Sequence, residues 1–266
     1  MKLLKRSVLA ALLTMSATAT AAHEFWLDAR ISRAEPETSL ELEFLVGQNL
    51  KGVSLPFVPD HVVQFFRLDD KLSPLGGRIG ETPVATVPFD AAKGFSGFVE
   101  MAPRQVIHND WNAFLTYLDT EGLAGISEKH LERGFPQTDF AETYARYAKI
   151  FIMGAGLPDV SSIVDAGARF EIVLREVLQQ EDRPLTVAGV LMREGQPLPN
   201  HQVTMIVGGA ELRRFMTNEK GRFEVSMHAA GRVLFNSVFM MEGMTPDVAW
   251  HSDWASLLFI AGEQMK

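Results

Sequence analysis

From Gly167 onward the chain breaks into short apolar stretches separated by turn-forming residues, and that spacing restricts the fold more than any other feature. Residues 170–174, 185–192, 201–207, 212–217, 222–225, 232–238 and 255–260 read as strands. Glu194-Gly195-Gln196-Pro197-Leu198-Pro199 lies between 185–192 and 201–207, which are expected to pair around it. Asn218-Glu219-Lys220-Gly221 has the chemistry of a hairpin turn between the strands on either side. Short strands at regular intervals, with turn residues between them, argue for a β-sandwich.

The first half has a similar beginning. Leu40-Glu41-Leu42-Glu43-Phe44 alternates apolar and acidic residues, the period of a strand with one wet face. Strands are expected at 24–27, 62–68 and 95–101, whereas 73–88, with Gly76-Gly77 and three prolines, reads as loop or edge strand. The period then changes. Trp111, Phe114, Leu115 and Leu118 fall on one face of a helix. A second helix is expected to start at Asp139 with Glu142 completing a capping box, to carry Phe140, Tyr144, Tyr147, Ala148 and Phe151 on one face, and to end at Gly154 or Gly156. Residues 121–138 between the helices read as polar loop. The expectation is a mainly β chain of two immunoglobulin-like β-sandwich domains, 23–180 and 184–266, with a helical insertion around 109–154 in the first.

Residues 1–22 are set apart by chemistry. Lys2, Lys5 and Arg6 precede a short apolar stretch, and Ala17 to Ala22 is rich in small residues, the layout of a secretory signal peptide. The apolar run is too short to span a bilayer, and no later run is long enough, so no transmembrane segment is expected in the mature chain. A small-x-small cleavage rule is met at Ala19-Thr20-Ala21 and at Thr20-Ala21-Ala22, which would leave Ala22 or His23 first. A periplasmic location follows. Without the leader the chain carries 22 basic and 33 acidic residues, a formal net charge of −11, which disfavours nucleic acid as a partner and welcomes cations.

The absence of cysteine removes disulfides, thiolate metal sites and cysteine nucleophiles. Enzyme signatures are missing too. Gly94-Phe95-Ser96-Gly97 has the wrong spacing for a nucleophile elbow, and Gly154-Ala155-Gly156 lacks the rest of a dinucleotide fingerprint. His251, Ser252 and Asp253 are adjacent in sequence, which is not how a triad is assembled. A non-enzymatic protein is the expectation.

Seven histidines remain as ligands: His23, His61, His108, His130, His201, His228 and His251. No HxH or HExxH pair is present. His23 is singled out by its place beside the new α-amine. With Ala22 retained, the Ala22 amine, the His23 amide and the imidazole supply three nitrogens in one plane, which suits Ni(II) or Cu(II). With His23 first, amine and Nδ1 form a two-toothed chelate, a histidine brace. Either geometry needs a further ligand, for which His61, His108 and His251 are the candidates. His201, His228 and His130 read as a strand start, a turn and a polar stretch.

The last third of the chain, with Gly195-x-Pro197-Leu198, Val203, Thr217 and Gly221-x-Phe223, resembles transthyretin-like and carboxypeptidase-regulatory-like modules, which concerns fold alone. Ala22-His23-Glu24-Phe25-Trp26-Leu27 after a leader resembles the start of a bacterial secreted family of unknown function, commonly labelled as periplasmic nickel/cobalt uptake (NikM-like) components. The likeness continues through 46–52, Phe114-x2-Tyr117-Leu118-x2-Glu121-Gly122-Leu123, Glu142-x-Tyr144-x-Arg146-Tyr147-x-Lys149 and Asp253-Trp254-Ala255-Ser256-Leu257-x-Phe259. It implies a divalent transition metal, nickel, cobalt or copper, bound through the processed N-terminus and passed to a separate membrane permease or receptor. Arg146 and Lys149 read as structural salt bridges on a helix face. The alternative is a non-enzymatic module binding a protein or glycan without metal, through free sheet edges. An oxidative copper enzyme built on a histidine brace is a third class.

Overall fold

The computed structural model describes residues 24–33, 38–68, 71–155, 165–178, 184–208, 211–227 and 231–261. Ala22, His23 and His228 lie outside them. The strands run β1 (Glu24–Ser32), β2 (Ser39–Gln48), β3 (Lys51–Leu55), β4 (Val62–Arg67), β5 (Ser73–Pro74), β6 (Ala85–Pro88) and β7 (Phe95–His108). Helices α1 (Trp111–Glu121) and α2 (Ile126–Glu132) follow, then β8 (Phe140–Ile152), β9 (Phe170–Leu178) and β10 (Leu185–Arg193). The chain finishes through β11 (Gln196–Pro197), β12 (Gln202–Val207), β13 (Glu211–Met216), β14 (Arg222–Met227), β15 (Gly231–Glu242) and β16 (Val248–Ala261). The protein is mainly β, as the turn spacing requires.

Among the described residues three sheets form, and the largest sits between the other two. It has eight strands in the order β13-β12-β15-β16-β8-β7-β4-β5. Even-numbered residues of β8 (Ala148, Ile150, Ile152) pack with Trp26, Leu40, Leu42 and Phe44 of the sheet β1-β2-β3 and β6. Odd-numbered ones (Ala145, Tyr147, Phe151) pack with Ile172, Val187 and Phe223 of the sheet built on β9, β10, β11 and β14. The helices lie on the first of these faces, where Phe114, Tyr117 and Leu118 meet Phe140, Trp250 and Trp254. Each large apolar side chain buried in these layers contributes about 1.5–3 kcal/mol.

Several expectations change. Residues 140–152 form β8 rather than a helix, so the helical insertion shrinks from 109–154 to α1 and α2, and α2 falls inside the stretch read as loop. The reason is burial on both faces. A strand covered on both sides needs no polar alternation, and the apolar residues of 140–151 then imitate a helical stripe. Asp139 takes a left-handed conformation (φ 57°) at the entry to β8 instead of capping a helix. On α1 it is Tyr117, not Leu115, that joins Phe114 and Leu118 in the interior.

The β-rich stretches before and after 180–184 share the large sheet, because β8 runs parallel to β16 from Ala141–Val248 to Ile152–Ile260. The turn at Asn218–Gly221 forms, with Asn218 Oδ1 accepting the Lys220 and Arg222 amides, but it joins β13 to β14 in different sheets and is not a hairpin. Likewise 185–192 and 201–207 do not pair: β10 and β12 belong to opposite layers. Lys149 is no exposed helical charge. It is buried on β8, and its Nζ meets Glu171 Oε2 on β9 at 3.2 Å, tying two layers together.

Candidate functional site

A cavity of about 640 Å³ opens on the helical face of the large sheet, in the gap between the helices and the sheet β1-β2-β3. Its floor is β7 and β8, with Met101, Arg104, Val106, His108, Glu142, Tyr144 and Arg146, joined by Trp254 of β16. One wall is Val46, Leu55, Pro56, Val58 and His61; the other is the start of α1, with Asp110, Ala113 and Tyr117.

The floor depends on one irregularity. Met101 pairs with Arg146, but Arg104 pairs with Tyr144, so Ala102 and Pro103 stand opposite the single residue Ala145. A bulge of one residue exchanges the two faces of everything beyond it. In an unbroken ladder Arg104 and His108 would lie on the opposite face of the sheet. The bulge turns them toward Tyr144 and Glu142, and a proline, which has no N–H to give to a ladder, suits such a position.

Glu142 is buried to 1 % exposure and is enclosed by donors. His108 Nε2 lies 2.8 Å from its Oε2; Tyr117 donates to Oε1 at 3.2 Å, and Ser252 donates to Oε1 as well. Trp254 Nε1 in turn donates to Ser252 Oγ at 2.9 Å. Burial and the neighbouring Glu142 carboxylate push the Tyr117 hydroxyl well above its usual pKa, so Tyr117 remains a donor. The His108 ring is held between Phe114 and Phe140, with centroids 4.8 and 5.0 Å away. With Nε2 engaged by a carboxylate, tautomer and ring orientation are set, and the remaining nitrogen is the one able to serve a ligand.

Arg146 lines the same cavity, its guanidinium 4.8 Å from the Tyr144 ring centroid and 5.7 Å from that of Phe25. Burial and the nearby Arg104 charge lower its pKa from the ordinary arginine value, with burial the larger cause. Arg146, expected on a helix face, lies instead on β8, beside the cavity and against two rings. Asp110, the acid at the cavity edge, caps α1 through the Ala113 amide at 3.1 Å.

At the start of β1, Glu24 accepts the Asn49 amide at 3.1 Å and lies within electrostatic reach of Glu121 at the end of α1. Burial raises both carboxyl groups from 4.5 to about 7, and for Glu121 the Glu24 charge adds to the rise. Two carboxyls this reluctant to ionise, one at the start of β1 and one at the end of α1, form a place where a cation is favoured.

The candidate ligands separate. His61 and His108 line one cavity. His251 is on the other face of β16, buried, with Nδ1 2.9 Å from Thr143 Oγ1 and Nε2 3.2 Å from Asp253 Oδ1. Strand alternation accounts for this: Ser252 joins Glu142, while His251 and Asp253 point away, so the three neighbours in sequence share no site. His23 and Ala22 fall outside the described residues. His130, read as part of a polar stretch, is a core residue at 0 % exposure, its Nδ1 accepting from Trp250 Nε1 and its Nε2 2.9 Å from the Pro136 carbonyl. Among the described residues, no group of three or more His, Asp or Glu is placed to hold a metal ion, and no helix is long and apolar enough to cross a membrane.

In the sequence Glu142 reads as a helix cap and as part of the 142–149 block of the resemblance, and Arg104 carries no signal. Pro103 inside an apolar strand was the one available sign of the bulge.

A three-layer β arrangement with a polar-floored cavity beside its helices does not by itself name an activity. The chain belongs to the family described as Domain of unknown function (DUF4198), whose model matches residues 20–240. No curated protein and no solved structure matches the chain.

Proposed function

We propose that this is a secreted, periplasmic protein that binds a divalent transition metal, nickel, cobalt or copper, through its processed N-terminus and hands it to a membrane uptake partner. The observation that carries the reading is the cavity itself. Two of the three histidines named as further ligands face it, and one of them, His108, is oriented by a buried carboxylate as metal-ligating imidazoles commonly are.

Chain geometry supports the same reading. The Phe25 ring packs under Arg146, a cavity residue. In this reading the N-terminal amine, the His23 amide and the imidazole take His61 or His108 as the further ligand. Glu24 and Glu121, at the start of β1 and the end of α1, are carboxyls whose field favours a cation. The donor set is all nitrogen with carboxylate behind it, the preference of Ni(II) and Cu(II) rather than of calcium or magnesium.

The test is a calorimetric titration of Ni(II) and Cu(II) into the natively processed protein, its N-terminal mass confirmed, beside a form with one extra N-terminal residue. The expected result is tight binding that weakens at least about tenfold on extension and again in His108→Ala, since each step removes a ligand. Binding unaffected by extension removes the N-terminal chelate from the reading. No binding above scattered-histidine background refutes it and leaves the protein- or glycan-binding module.

A further inference from the structure

The same cavity has a second chemistry that the metal reading does not use. Two arginines, two acids and two histidines line it: Arg104, Arg146, Asp110, Glu142, His61 and His108. Both acids are committed to the protein. Asp110 caps α1, and Glu142 is bonded by His108, Tyr117 and Ser252. The two guanidiniums are close enough to repel one another, and Arg104, exposed, makes no ion pair among the described residues. The bulge at Ala102–Pro103 is what brings the second arginine to this face. Around them the surface is apolar, with Val46, Leu55, Val58, Met101, Val106 and Ile107 lining the cavity and the last two left exposed.

The geometry points to a binding site for a small amphipathic carboxylate, its carboxyl group on Arg104 and Arg146 and its hydrocarbon or aromatic body along the Val46–Val58 wall. Guanidinium forks match a carboxylate in two parallel hydrogen bonds, and two of them facing one space in an otherwise acidic protein have an anion as their natural complement. The cavity volume of about 640 Å³ falls within the roughly 300–1,000 Å³ common for small-molecule sites. The apolar wall excludes free inorganic anions as the main occupant, since it would then stay wet and unused.

Octanoate, titrated calorimetrically in EDTA, tests this separately from the metal reading. Octanol and octyl phosphate serve as the neutral and phosphate analogues, and Arg104→Gln as the variant. Arg104 is exposed, so the variant is expected to fold; unchanged far-UV circular dichroism and urea midpoint verify it. The expected outcome is saturable one-site binding of octanoate, at least about tenfold weaker for octanol, weaker by a similar factor in Arg104→Gln, and reduced at high salt. Octanol binding as well as octanoate, octyl phosphate binding tighter, an unchanged Arg104→Gln, or no saturable octanoate binding each overturns the assignment. Because EDTA removes divalent metals throughout, none of these results depends on the N-terminal chelate.

Discussion

Glu121→Gln should stabilise the protein at pH 8 and leave it unchanged near pH 4.5. The carboxyl of Glu121 is lifted from 4.5 to about 7 by burial and by the Glu24 charge, with Arg214 pulling the other way. For an acid whose folded pKa lies above its unfolded value, the folded state binds the proton more tightly. Stability therefore falls as pH rises from about 4.5, through the folded value near 7, and the loss is complete above it. A rise of about 2.5 units corresponds to about 3 kcal/mol. Solvent screening and the partial exposure of this site bring the expected gain to about 1–3 kcal/mol. Glutamine is neutral at every pH and keeps an acceptor for Asn236 Nδ2, which donates to Glu121 Oε2 at 3.4 Å. The assay is urea unfolding in EDTA at pH 4.5, 6 and 8 for both proteins. The difference should grow with pH and level off above about 7.5, with a smaller decline persisting in the variant because Glu24 owes its own shift mainly to burial. A gain independent of pH, or a loss at pH 8, refutes the reasoning.

Lys149→Met should cost about 3–5 kcal/mol in urea unfolding, because it strands the Glu171 carboxylate in a buried position; Glu171 also accepts the Ala166 and Gly167 amides, so replacing both partners is not expected to restore the full loss. Deleting Ala102 should leave one residue facing Ala145 where two did, giving an unbroken ladder between β7 and β8 that keeps Arg104 opposite Tyr144 and His108 opposite Phe140. Octanoate and nickel titrations should then keep the contribution of the cavity, and a folded deletion variant that loses both counts against the register argument.

What the sequence revealed about fold depended on how many faces of a strand are covered. Leu40 to Phe44 was legible because Leu40, Leu42 and Phe44 are buried while Glu41 and Glu43 are half-exposed. β8 was not, because both its faces are covered and its alternation disappears. Turn chemistry had a similar limit. Asn218 to Gly221 identified where the chain reverses but not which layer receives the next strand, since that choice is made by the apolar faces of β10 and β12 far away in sequence. The close glycines of the 46–52 block are explained only in three dimensions: a Cβ on Gly52 would lie 2.7 Å from the Trp26 ring and 2.7 Å from the Val46 carbonyl oxygen.

The candidate site was visible as a list of histidines and invisible as an arrangement. Composition placed His61, His108 and His251 on equal terms. The fold separates them through strand parity, which depends on a count of residues, and a single extra residue at Ala102–Pro103 alters that count. In this three-layer protein the choice of face is consequential. On the far side of the sheet lie Glu100 and the buried Asp253, acids that an arginine arriving there would neutralise. On the near side the acids are already bonded to the protein, so the same arginine keeps its charge available to a ligand. The bulge therefore does more than bend β7. It decides which face Arg104 joins and whether His108 meets the buried carboxylate of Glu142.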